Sequence, residues 1–450
     1  MLIILTADNI NIALISLGCP KNQVDSEIIL SLLKQNNFNI ITNTNDAHVI
    51  IINTCGFIES SRMESINAIL EATTNPLNKN LQVLIVTGCM AERYKDEIKK
   101  EIPEVSCVVG IGANRNIVNI VKNALDGKFI NTFPSKQDLL LDSDRILSTP
   151  SHYAYLRIAD GCSNCCTYCA IPLIRGPFKS RSLENIINEA KILAENGVKE
   201  LIIIAQDTTN YGHDLYGKLM LPKLLEELCE INGIVWIRLL YCYPERITDE
   251  LLNVMNKHGN KILPYFDIPL QHCNEAILKN MNRTGSYFLL ISLINKIKTI
   301  LPDAVLRTTF ITGFPGETEN QFNELLKFIH EVKFNRLGCF SYSPEEDTKA
   351  ALMPDQIDQD IKNKRLDIIM REQTFISNDL NEAFIGKTLS VLSEGYDSEL
   401  NMFYGRSYMD APEIDCLVYF KADETEQFIG KFINVQIISH NDYDLYGKII

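Results

Sequence analysis

The chain lacks any apolar run of about 18 residues, so no segment is expected to cross a bilayer as a helix. It lacks low-complexity tracts, which excludes a disordered or fibrous polymer. It lacks positive charge: 57 acidic residues against 43 basic ones give a formal net charge of −14. Phosphate-binding surfaces need clustered Lys and Arg, so direct nucleic-acid binding is disfavoured and a basic partner is favoured. A recognisable leader is missing too. Met1–Leu5 is apolar but short, Asp8 follows, no basic residue precedes it, and no small-residue cleavage site appears. A cytoplasmic, reducing location with no membrane partner is therefore expected.

What is present is a globular composition, 46% hydrophobic and 22% charged over 450 residues, enough for about three domains. Thirteen cysteines in a reducing compartment point to metal binding or catalysis rather than disulfides.

Three segments differ in pattern. Over residues 1–130, apolar runs (Ile12–Leu17, Val49–Ile52, Val83–Val86, Val105–Val109) alternate with helical stretches (Val24–Gln35, Glu59–Ala72, Ala91–Glu101, Asn114–Leu125). Such alternation predicts an α/β domain with a parallel sheet. Residues 131–150 read as a polar linker. Over 151–376 the alternation resumes, with strands expected at Tyr153–Ile158, Leu201–Ala205, Val235–Leu240, Tyr265–Ile268, Ala304–Ile311 and Leu337–Tyr342, then a long helix from Asp355 to about Glu382. Six strand–helix units suit a full or partial (β/α) barrel whose chemistry sits at the carboxyl ends of its strands. Residues 377–450 carry short runs broken by Gly395, Gly405 and Gly430, the pattern of a small antiparallel, OB-like β-barrel. Thirteen acidic and five basic residues leave this tail at net −8.

Two sets of cysteines carry chemistry. Cys162, Cys166 and Cys169 lie in one tight loop directly after a predicted strand. Three thiolates from such a loop hold three corners of a four-iron cluster and leave one iron open to an exogenous ligand. S-adenosylmethionine (SAM) is a ligand of that kind, chelating through its amino and carboxylate groups. Zinc is the plainer reading, because Cys162/Cys165 and Cys166/Cys169 also form two CxxC pairs. Adjacent Cys165 and Cys166 suit a single tetrahedral ion poorly, which leaves Cys165 a bystander. The second set, Cys19, Cys55 and Cys89, is scattered in sequence, yet each lies just past the carboxyl end of a predicted parallel strand. In a doubly wound sheet those ends line one crevice. A second three-thiolate cluster follows, against the plainer reading of three buried apolar cysteines. Cys107, Cys229, Cys242, Cys273, Cys339 and Cys416 share no register and read mostly as core.

Other strand ends carry weaker signals. Gly313, Pro315, Gly316 and Glu317 close a strand before a helix, where glycine lets backbone approach a ligand. Gln206 and Asp207 place polar groups at another strand end, although Asp207 also reads as a turn cap. His272 reads as a structural histidine.

Taken together, these motifs resemble the methylthiotransferase family of radical SAM enzymes across essentially the whole chain. Ser16-Leu17-Gly18-Cys19-Pro20-Lys21-Asn22, Asn53-Thr54-Cys55-Gly56-Phe57-Ile58, Gln206-Asp207-Thr208-Thr209 and Tyr404-Gly405-Arg406-Ser407 look like its RimO-type branch. Cys19-Pro20-Lys21-Asn22 stands where the tRNA-modifying branch would have Cys-Gln-Met-Asn. The resemblance implies two 4Fe-4S clusters, one on Cys19, Cys55 and Cys89 as sulfur donor and one on Cys162, Cys166 and Cys169 binding SAM. It also implies a C-terminal TRAM domain, SAM as both radical source and methyl donor, and a flavodoxin- or ferredoxin-type reductant. The implied substrate is an aspartate β-carbon of small-subunit ribosomal protein twelve, free or in the ribosomal particle. Two rivals stand beside it: a tRNA adenosine methylthiotransferase and a non-catalytic metal-binding ribosome adaptor.

Overall fold

A computed structural model describes residues 10–136, 139–422 and 426–450, so the expectation for Met1–Leu5 lies outside the described residues. The chain divides into two compact units. The first comprises Met1–Thr149, Arg157–Arg181 and Glu345–Thr348, and the second Pro150–Leu156, Ser182–Pro344 and Lys349–Ile450.

The first unit is built on a five-stranded sheet of order β2-β1-β3-β4-β5. Its strands are β1 Asn11–Ser16, β2 Asn39–Ile41, β3 Val49–Thr54, β4 Val83–Gly88 and β5 Cys107–Val108, all paired in parallel. β3 and β4 are buried along their whole length, as β-branched runs in the centre of a parallel sheet must be. Helices α1 Pro20–Gln35 and α5 Ile117–Leu125 cover one face, packing Ile29, Leu33, Ile117 and Val121 on Val49, Ile51 and Ile85. Helices α2 Glu59–Thr74, α3 Cys89–Arg93 and α4 Lys95–Glu101 cover the other, packing Ile69, Ala91 and Ile98 on Ile50, Ile52 and Val86. Odd and even strand positions thus feed opposite cores.

The expected elements shift in three places. The single helix expected over Ala91–Glu101 is two, parted at Tyr94, whose ring lies under the guanidinium groups of Arg93 and Arg62. Residues Ile111–Asn116 form a 3₁₀ turn before α5 begins. Within the expected linker, Leu139 and Leu141 are buried against Cys89, Ile111, Ala170 and Ile174.

The same unit includes a short hairpin, β7 Ala159–Asp160 with β8 Lys179–Ser180, enclosing helix α6 Ile171–Arg175. Its chain leaves the carboxyl end of β6 Tyr153–Arg157.

The second unit carries an open sheet of order β13-β12-β11-β10-β9-β6, a partial barrel. Its further strands are β9 Glu200–Ile204, β10 Trp236–Leu239, β11 Ile262–Asp267, β12 Val305–Thr312 and β13 Arg336–Ser341. Helices intervene between strands, and a 24-residue helix, Gln359–Glu382, follows β13. The tail forms a closed five-stranded barrel from Thr388–Asp397, Met402–Arg406, Val418–Lys421, Phe432–His440 and Leu445–Ile449. Its neighbours are antiparallel except for Val418–Lys421 beside Leu445–Ile449, which closes the barrel in parallel. No described helix is long and apolar enough to cross a membrane.

A buried ionic joint fixes the small barrel on the partial one. Arg406 is 1% exposed and pairs with Glu200 at 2.7 Å and Glu394 at 2.8 Å. Arg238 reaches the same Glu200 at 2.7 Å, Arg336 meets Asp410 at 2.6 Å, and Arg307 meets Asp415 at 3.2 Å. Burial works against ionising Glu200, yet Arg406 and Arg238 hold its carboxyl below the ordinary value. Arg406→Leu leaves Glu200 with Arg238 alone and takes the guanidinium from Glu394, and is expected to destabilise the protein by about 3 kcal/mol in urea unfolding at neutral pH. A depressed carboxyl contributes stability above its unfolded pKa and loses it as pH falls through the folded value. The deficit should therefore shrink below about pH 4, and a constant deficit across pH would contradict it.

Candidate functional site

The three scattered cysteines converge because β1, β3 and β4 are consecutive in the sheet and in register at their carboxyl ends. Ser16 lies opposite Asn53, and Thr54 opposite Gly88. Cys19 caps the start of α1, Cys55 follows β3, and Cys89 is the first residue of α3. Two of the three turns are tight enough to demand glycine. Gly18 has φ +90°, and a Cβ there would sit 2.9 Å from the Cys55 sulfur. Gly88 has φ +96°, and its Cβ would fall 2.4 Å from both the Asn53 side-chain oxygen and the Thr54 carbonyl.

One side chain gathers all three turns. Buried Asn22 donates from Nδ2 to the carbonyls of Leu17 (3.0 Å) and Thr54 (2.9 Å), and its Oδ1 accepts from the Cys89 thiol at 3.5 Å. Asn53 donates back to the Asn22 carbonyl at 2.8 Å. Arg93 pairs with Glu345 at 3.0 Å and donates to the Gly56 carbonyl at 2.9 Å, and Arg62 pairs with the same Glu345. That tie braces the loop after Cys55.

Burial pushes the Cys89 thiol up to about 12 and raises Cys55 as well, with the neighbouring thiols adding to the rise and Arg175 opposing it. Metal binding must therefore expel protons from the buried Cys55 and Cys89 thiols.

Cys162, Cys166 and Cys169 occupy the loop between β7 and α6. The Cys162 amide donates to the Gly176 carbonyl at 3.0 Å and the Cys169 amide to that of Cys166 at 3.1 Å. The Ile171 amide donates to the Cys169 sulfur at 3.5 Å. Cys166 is buried, Cys162 and Cys169 are half-buried, and Cys165 is exposed with a left-handed backbone at φ +52°. Both triads lie in the first compact unit, where Cys89 shares an apolar cluster with Ala170 and Ile174 just beyond Cys169. Among the described residues no three His, Cys, Asp or Glu side chains gather tightly enough to hold a single metal ion. Three soft donors in each set, and a backbone N–H aimed at the Cys169 sulfur, suit a thiolate-held iron–sulfur cage.

The second unit holds the other expected residues. Asp207 is buried and already engaged, bonding the Asn210 amide and the Thr209 hydroxyl and pairing with Arg246 at 2.7 Å. Gln206 is half-buried just past β9. After β12, the Gly313 amide donates to the Glu317 carboxylate, which also pairs with Arg365 at 3.3 Å. The Gly316 amide donates to the Asp355 carbonyl, and the position of its missing Cβ is open space. Pro315 completes that turn.

At and beyond the ends of β11 and β12, Gln271 Oε1 and Thr312 Oγ1 are buried without a hydrogen-bond partner, while His272 Nε2 and Glu317 Oε1 face each other at 3.6 Å. His272 Nδ1 accepts the Asn274 amide, so half of that ring is structural, as expected. Gln271 and Thr312 were not singled out from the sequence, although a polar residue ending an apolar strand was the available signal. Cys107, Cys229, Cys242, Cys273 and Cys339 are buried core, while Cys416 is half-buried.

Comparison with known proteins fits this arrangement. Residues 11–110 match the Uncharacterized protein family UPF0004, residues 156–329 the Radical SAM superfamily, and residues 385–450 the TRAM domain. The chain is 49% identical over 445 residues to the ribosomal protein uS12 methylthiotransferase RimO of Clostridioides difficile, covering 98% of this chain and 99% of that one. It is 50% identical over 440 residues to the protein of that name from Caldanaerobacter subterraneus, covering 97% and 99%. Among solved structures, the radical SAM methyltransferase TsrM of Kitasatospora setae superposes with TM-score 0.54 at 10% identity, covering 73% of this chain and 72% of that one. The cobalamin-dependent SAM radical enzyme OxsB gives 0.52 at 13% identity, covering 81% and 56%. These two likenesses bear on fold alone.

The thiol environments make a direct prediction for metal-free protein. At pH 8, iodoacetamide should label Cys89 at least a hundredfold more slowly than exposed Cys165, since the thiolate is the nucleophile. Labelling of Cys89 should climb with pH towards 12. Peptide mass mapping reads both, and equal rates would contradict the buried, protonated sulfur.

Proposed function

This chain belongs to the ribosomal protein uS12 methylthiotransferase (RimO) family, and from that premise we propose that it adds a methylthio group to the β-carbon of an aspartate in ribosomal protein uS12. Two sets of three cysteines lying in one compact unit, in a chain about half identical end to end to enzymes of that name, support the reading.

Cys19, Cys55 and Cys89 would hold one 4Fe-4S cluster, and Cys162, Cys166 and Cys169 the other. When bound, the clusters and SAM supply the radical, sulfur and methyl chemistry. The protein's own work is orientation and exclusion. Asn22 and the glycine turns fix the first sulfur set, while Leu139, Leu141, Ile111 and Ile174 keep water from Cys89. In the second unit, Gln271 and Thr312 offer unmet polar atoms for polar groups of SAM, with Gly313, Pro315, Gly316 and Glu317 shaping the turn beside them. Gln206 lies past the end of β9, two strands from β11 in the same sheet. Asp207 acts through Arg246 and the Thr208–Asn210 turn rather than by direct contact.

Work on a ribosomal protein sets the location as the cytoplasm and requires an external one-electron reductant of flavodoxin or ferredoxin type. The acidic tail offers less bare charge to a basic substrate than its composition suggests, because Arg336, Arg307 and Arg406 occupy Asp410, Asp415 and Glu394.

Mass spectrometry of uS12 and of bulk tRNA, from a deletion strain and its parent, tests the substrate. Loss of a methylthio mass from uS12 alone is expected, whereas loss from tRNA alone would replace this substrate with an adenosine. With purified enzyme, Cys162→Ala should abolish deoxyadenosine formation from SAM. Cys55→Ala should keep that cleavage and yield no methylthiolated product. Product at the normal rate from Cys55→Ala would remove the first triad from the reaction.

A further inference from the structure

Arg175 ends α6 and is 1% exposed, inside a unit where only compensated charge is tolerable. Its Nη1 donates to Asp160 at 2.7 Å, and its Nη2 to Asn22 Oδ1 at 2.6 Å and Asp25 at 2.8 Å. Arg157 completes the lattice, pairing with Asp25 and, at 3.1 Å, with Asp160. Two cations and two anions balance. Asp160 in turn accepts the Gly161 amide at 2.7 Å, directly before Cys162. One guanidinium thus grips the base of the Cys162–Cys169 loop with one nitrogen and the amide that gathers Cys19, Cys55 and Cys89 with the other.

Asn22 Oδ1 has two acceptor positions, and Arg175 and the Cys89 thiol fill them. A cysteine bound to iron has no proton to donate, so Arg175 alone would then keep this buried oxygen satisfied. Without Arg175 the oxygen would face a thiolate with no donor between them. Flipping the amide offers no escape, because Nδ2 is committed to the Leu17 and Thr54 carbonyls. Asp160 and Asp25 outweigh burial in keeping Arg175 charged, and its charge opposes the upward push on the Cys89 thiol.

We infer that Arg175 is a positioning residue for methylthio transfer: it locks the frame carrying the first sulfur set to the loop carrying the second, and it supplies a fixed positive charge beside the first. This deepens the function proposed above and rests on it. A nearby cation favours the more negatively charged, reduced state of a cluster, so the charge has a readout that a purely structural role would leave unmoved.

The test uses the full chain, reconstituted anaerobically with iron and sulfide, carrying Cys162→Ala, Cys166→Ala and Cys169→Ala so that only the first cluster remains. Redox titration followed by electron paramagnetic resonance gives its potential. Arg175→Gln is expected to lower the reduction equilibrium constant at least tenfold, about 59 mV for one electron, and Arg175→Lys to restore it to within about threefold of the parent. A parent-like potential in Arg175→Gln overturns the inference. Should Arg175→Gln fail to fold or load, Arg175→Lys in the six-cysteine protein decides. An ammonium cannot reproduce the guanidinium fork, so the magnetic broadening between the two reduced clusters should change, and unchanged broadening overturns the inference. A three-alanine parent that binds no iron sinks the cluster assignment itself, and this inference with it, which keeps the two failures apart.

Discussion

The first unit is organised around one constraint: a buried amide and a buried guanidinium must both be satisfied in the same few ångströms where the sulfur atoms collect. Asn22 is completely buried and uses both ends of its side chain. Arg175 is tolerable there only because Asp25 and Asp160 flank it. Every turn bearing a cysteine of the first triad is tied to this pair directly or through Asn53. A thiolate set held by such a frame is preorganised, since its backbone is held by polar bonds independent of the metal.

In the second unit the same physics serves a mechanical purpose. Glu200, Arg238 and Arg406 form a buried triad at the joint between the partial barrel and the small C-terminal barrel. The Tyr404–Ser407 stretch, noticed in the sequence only as a family likeness, supplies Arg406 and with it the joint's central cation. The paired Asp410, Asp415 and Glu394 show why a segment's summed charge is a poor guide to its surface: acids already held by arginines offer little charge to a partner.

Periodicity made much of the architecture legible. Runs such as Val49–Ile52 and Val83–Val86 are too apolar for any place but the middle of a parallel sheet, and both lie there. Boundaries were less legible. The break at Tyr94 depends on two arginines stacked on its ring, one of them 32 residues away in sequence, and no local pattern encodes that. The three-residue strand Asn39–Ile41 is too short to show a period.

For the site, the sequence by itself determined which atoms were available. The spacing of Cys162, Cys166 and Cys169 lies within one loop, and the offset of Cys19, Cys55 and Cys89 from their strands follows from strand ends that any parallel sheet brings together. Gly18 and Gly88 belong to the same local information, because a left-handed turn is a property of a residue and its neighbours. Only the tertiary structure decided what stands behind the sulfurs. Asn22 and Arg175 are 153 residues apart, and each alone reads as an ordinary polar residue. Their bond is a demand of burial, and burial is settled by the packing of the whole unit rather than by any window of the chain.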